Sequence, residues 1–118
     1  MSKDNIQAML DIIEKSADAR GGADIQTLDI RDMTAIADYF VIISGGSTPQ
    51  LNAIAEEVED KMAEAGYHTY HHEGNGQSRW IILDYGDVIV HIFHRDMREF
   101  YNLERLWSKD NRESEEEQ

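Results

Sequence analysis

Apolar positions fall at helical spacing in three stretches of the chain and alternate or run unbroken between them. In residues 3–19, Ile6, Leu10, Ile13 and Ala17 recur every three or four positions, which predicts a helix with one buried stripe. Ser2 is placed to cap its start and Gly21-Gly22 to stop it. Residues 24–30 carry Gln26, Leu28 and Ile30 on one face and Ile25, Thr27 and Asp29 on the other, the mixed alternation of a strand near a sheet edge. Residues 39–44, YFVIIS, are apolar on both faces, as a central strand covered by helices on both sides would be. After Gly45-Gly46, either Ser47 or Thr48 caps a helix over 49–65 that has Pro49 in its first turn. A capping box of Ser47 with Gln50 is the alternative. Leu51, Ile54, Ala55, Val58 and Met62 make its buried stripe, and Gly66 follows it.

Residues 67–72 form a short His-rich strand, and Glu73 to Ser78 a Gly-rich turn. Residues 79–84 and 88–94 are strands joined by Tyr85-Gly86-Asp87, a hairpin signal. Asp96 can cap a last helix through Trp107, with Met97, Phe100, Leu103 and Trp107 turned inward. The order α-β-β-α-β-β-β-α predicts an α/β fold, a mixed β-sheet with flanking helices. The connection from 39–44 to 67–72 is long enough for a crossover and predicts a parallel pair there. Residues 1–107 read as one domain. Residues 108–118 hold no large apolar residue, end in Glu115-Glu116-Glu117-Gln118, and read as an acidic disordered tail.

Charge sharpens this picture. Eleven Lys and Arg face 24 Asp and Glu, leaving −13 at pH 7. Each phosphate contact on nucleic acid needs a cation, so the composition argues against extensive direct nucleic-acid contact and toward a basic protein partner. The same charge also serves solubility. No apolar run approaches the roughly 20 residues of a membrane span, and residues 1–8 show neither a signal core nor an Arg-rich leader; a cytoplasmic protein is expected. With no cysteine, disulfides and thiolate chemistry are excluded.

Four places invite a chemical reading. The turn Ser44-Gly45-Gly46-Ser47-Thr48 precedes a helix N-terminus, a natural anion site. It lacks the Lys of a phosphate-binding loop, and Thr48-Pro49-Gln50-Leu51-Asn52 lacks the paired carboxylates that nucleotidyltransferases use for magnesium; a strand stop and helix cap explains it better. Asp84 and Asp87 flank a turn and could share a cation, or simply be turn residues. His68, His71, His72, His91 and His94 would need to converge to hold zinc; strand alternation sends neighbours to opposite faces. Trp80, Ile82 and Asp84 share a strand face, which fits a binding hot spot or a core tryptophan. No cofactor, metal or catalytic group is expected.

The stretches Ala37–Gly45, Trp80–Phe93 and Arg98–Trp107 closely resemble the ribosomal silencing factor family, also called the Iojap family, over residues 5–108. The resemblance implies an α/β domain related to nucleotidyltransferases without their catalytic carboxylates, and no enzymatic activity. It implies binding to the large ribosomal subunit through its interface protein L-fourteen, a steric block to joining of the small subunit, and repression of translation when nutrients are short. Large-subunit assembly is the role implied by organellar relatives. Carried onto this chain, the contact face comprises Trp80, Ile82, Asp84, Tyr85, Gly86 and Asp87, with a homodimer off the ribosome compatible with the pattern. The His-rich strand and acidic tail are not features of the family.

Overall fold

The computed structural model describes residues 3–101. Helix α1, Lys3–Ala19, is followed by strands β1, Ala23–Asp29, and β2, Tyr39–Gly45, then helix α2, Thr48–Glu64. Strand β3, His71–Glu73, a 3₁₀ turn at Gly76–Ser78, strands β4, Trp80–Asp84, and β5, Val88–His94, and helix α3, Arg95–Tyr101, complete the order. The capping role of Ser2, the inward positions of Phe100, Leu103 and Trp107, and the tail 108–118 lie outside the residues whose side chains are described.

The five strands lie in the order β1-β2-β5-β4-β3. Among the described strands only β2 and β5 pair in parallel, with Tyr39 opposite Val88 and Gly45 opposite His94. The β4–β5 hairpin is antiparallel, as its turn predicts, with Trp80 opposite Phe93 and Asp84 opposite Ile89. The expected parallel pair between 39–44 and 67–72 does not form. Both β2 and β5 are apolar on both faces and sit together at the centre, whereas YHTYHH is polar and can only serve as an edge. Strand β3 is also shorter than its sequence suggests. Tyr67 N–H still donates to Met62 O at 2.8 Å, closing α2, so pairing starts only at His71 opposite Asp84.

As expected, helices flank the mixed sheet, and the two long ones share one face of it. Met9, Leu10, Ile13 and Ala17 of α1 and Leu51, Ile54, Ala55, Val58 and Met62 of α2 bury against Val41, Ile43, Ile81, Leu83, Val90 and Ile92. Fully burying such side chains contributes about 1.5–3 kcal/mol each before chain entropy is charged. On the second face a smaller cluster joins Ile30 and Ala37 of the β1–β2 connection to Phe40 and Ile89, with Leu28 and Ile82 against it. Here α3 meets the sheet through Arg98, whose guanidinium Nη1 donates to Ser44 Oγ at 2.7 Å. Ser47 is the cap of α2, accepting from Gln50 N–H. Gln50 Oε1 reaches back one residue further than in a capping box, to Gly46 N–H at 2.6 Å.

Candidate partner-binding site

Strand β4 alternates, with Ile81 and Leu83 buried under the helices and Trp80, Ile82 and Asp84 half-buried on the second face. Trp80 stacks on Phe93 of β5, ring centroids 4.8 Å apart. Its indole N–H donates to His91 Nδ1 at 3.1 Å, so the polar edge of the ring is satisfied within the fold and its position is fixed. Trp80 is thus packed and still reaches the surface.

His91 is 6% exposed and lies edge-on to Phe40, centroids 4.6 Å apart. Burial lowers its pKa to about 4, so it is neutral near pH 7. Because Nδ1 accepts from the indole, the proton resides on Nε2, which has no hydrogen-bond partner. Five histidines had no assignable role in the sequence. The alternation of VIVHIFH places His91 on the face of Trp80, but the Trp80–His91 bond depends on cross-strand register, which no local pattern gives.

At the end of β4, Asp84 Oδ1 accepts from Gly86 N–H at 2.8 Å and shapes the turn. Tyr85 turns away from Trp80, Ile82 and Asp84. It is 3% exposed, joins the core under the helices, and lines a cleft of ≈ 310 Å³ with Met9, Gly66, Tyr67, His68 and Tyr70. Its hydroxyl has no hydrogen-bond partner, and burial pushes the phenol pKa up. Gly86 and Asp87 occupy the turn itself, where Asp87 O accepts from the N–H groups of Asp38 and Tyr39 at 2.8 and 3.1 Å. The predicted contact set therefore divides: Trp80, Ile82 and Asp84 share one face, Gly86 and Asp87 form the end of the sheet, and Tyr85 passes through to the other side.

The rival sites are differently built. The Gly46 N–H of the turn 44–48 is taken by Gln50, and Ser44 Oγ by Arg98. His71 pairs with Glu73 at 2.8 Å and His72 with Glu59 at 3.0 Å, while His94 Nδ1 accepts from Asp96 N–H at 3.2 Å. Among the described residues no three His, Asp or Glu gather as a metal site, and no helix is long and apolar enough to cross a membrane.

The family described as "Ribosomal silencing factor during starvation" matches residues 3–118. The chain belongs to this family. Ribosomal silencing factor RsfS of Bacillus subtilis is 42% identical over 103 residues, covering 87% of either chain. The chloroplastic protein Iojap of Zea mays is 33% identical over 98 residues, covering 80% of this chain and 41% of that one. A crystal structure from Chromobacterium violaceum superposes with a TM-score of 0.83 at 31% identity, covering 86% of this chain and 85% of the other. Its fold is thus that of the ribosomal silencing factors, whose names denote a regulatory and not a catalytic role.

Proposed function

We propose that this ribosomal silencing factor binds the large ribosomal subunit through its interface protein L-fourteen and holds the small subunit off by bulk alone, lowering translation under nutrient limitation. The observation that carries the reading is the coincidence of family membership with a packed, oriented tryptophan on a strand face that runs into an acidic turn. Trp80, Ile82, Asp84, Tyr85, Gly86 and Asp87 form the contact region. Trp80 anchors: a tryptophan whose N–H is already satisfied loses little on desolvation and can contribute about 2 kcal/mol or more. Asp84 and Asp87 steer and register a basic partner. An interface of about 800 Å² per partner suffices, with occupancy set by concentration and affinity. The work is cytoplasmic and needs no cofactor.

A second reading is favoured by one relative. A mouse protein named "Mitochondrial assembly of ribosomal large subunit protein 1" is 30% identical over 88 residues, which supports a contribution to large-subunit assembly on the same docking surface. A nucleotide-binding role for the turn 44–48 is disfavoured by the Gln50 side chain on its Gly46 N–H.

The test is sedimentation of the purified protein with separated subunits. Wild-type protein travels with large subunits and not with small ones. Trp80→Ala and Asp87→Lys stay in the light fractions while retaining the circular dichroism of the fold; co-migration of both variants at wild-type levels removes this face from the account.

A further inference from the structure

Two large apolar residues stand strongly exposed among the described residues, Ile36 at 68% and Tyr70 at 76%. Single exposed apolar side chains are ordinary, but these two flank the same turn. On one side, the hydrogen bonds from Asp38 and Tyr39 to Asp87 O bring the Ile36 loop against the β4–β5 turn. On the other, Tyr70 N–H donates to Asp84 O at 2.8 Å. The Tyr70 ring then lies over Gly86, where an added Cβ would meet Cε2 at 2.8 Å. Gly86 is required twice, for this approach and for its φ of +86°. Tyr70 is thus exposed and already held, so a partner orders it at little entropic cost.

The same rim is acidic. Asp38, Asp84 and Asp87 lie along it, and neither Ile36–Tyr39 nor Asp84–Val88 contains a Lys or Arg. Behind Tyr70, the rings of Tyr67 and Tyr85 wall the ≈ 310 Å³ cleft. We propose that the docking surface wraps this end of the sheet, with Ile36 and Tyr70 as its two outer apolar contacts on the basic protein of the large subunit. Carboxylates set between two exposed apolar side chains fit a partner that presents apolar residues among its cations. The wrapped geometry also gives Tyr85 a place in the site, as a wall of the cleft. This inference rests on the reading of large-subunit docking above.

Because both side chains are mostly in water, Ile36→Asp and Tyr70→Asp should fold as the wild type does, and Ile36→Ser and Tyr70→Ser provide uncharged versions. Binding of each to isolated large subunits is titrated beside Gln77→Asp, an exposed position in the 3₁₀ turn at the opposite end of the sheet. The expected result is a loss of at least about tenfold in affinity for each Ile36 and Tyr70 variant, unchanged melting, and no loss for Gln77→Asp. Wild-type affinity in all the Ile36 and Tyr70 variants overturns the wrapped surface while leaving large-subunit docking intact. An equal loss in Gln77→Asp overturns it as well, by showing general charge repulsion. If the wild-type protein itself does not bind, the docking reading fails first and this inference with it.

Discussion

The two ends of the sheet carry turns of similar composition and opposite construction. At Ser44-Gly45-Gly46-Ser47, the groups that face outward are spent on the fold. Gln50 takes Gly46 N–H and donates to the carbonyls of Arg20 and Gly21, both at 3.1 Å, so one side chain ties the exit of α1 to the entry of α2. Arg98 takes Ser44 Oγ, and Gly45 has no room for a Cβ, which would sit 2.7 Å from Leu51 Cδ2. At Asp84-Tyr85-Gly86-Asp87, the backbone is equally well satisfied, but the exposed side chains of Ile36 and Tyr70 and several carboxylates remain around it. A strand stop and helix cap is what the contacts make of the first turn, which acts as a clamp; the second is the turn proposed above to meet a partner.

If this contrast is right, damage at the closed turn should cost stability and damage at the open turn should cost binding. The largest expected stability effect is Gly76→Ala, beside the first turn, where a Cβ would lie 2.3 Å from Thr48 O and 2.8 Å from Asn52 Nδ2. Backbone must move to admit it, at about 1–3 kcal/mol, readable as a lowered melting temperature; undiminished stability would show that this end is not tightly closed.

Between the ends, His91 gives a pH signature. Its pKa falls from 6.5 to about 4 on folding because burial disfavours the cation. The unfolded chain therefore binds the extra proton first. The contribution is fully present above pH about 6.5 and is lost as pH falls toward about 4, to an upper limit of about 3 kcal/mol. Urea titrations across this window should show a shallower pH slope for His91→Gln than for wild type, since glutamine accepts from Trp80 without titrating. Identical slopes would mean that His91 is hydrated or charged in the fold. Gln50→Ala removes the tie between α1 and α2 and should cost about 1 kcal/mol, measured by the same titrations. Ile36→Ser, at the open end, should leave the denaturation midpoint within about 0.5 kcal/mol of wild type; a larger loss would make Ile36 a structural residue.

Local pattern made much of this legible. The stripes of α1 and α2 gave their extents because one face of each is buried, and the unbroken apolar run of β5 gave Val88–His94. Pairing was less accessible. The neighbour of β2 is decided by which other strand can be buried on both faces, a competition across the whole chain that loop length does not reveal. The proposed contact residues were legible only through family resemblance. Tyr70 was hidden inside a run read as strand, and Ile36 in a connection with no periodicity, so neither carried a signal until the turn drew them together. His91 was visible as a residue but not as the partner of Trp80.

The most direct measurement is light scattering during subunit joining, with the protein added to large subunits before small subunits are mixed in. The account predicts that joining falls in proportion to the large subunits occupied, and that Asp87→Lys restores it at the same protein concentration. Full-rate formation of whole ribosomes, with the protein bound and retained on them, would contradict it.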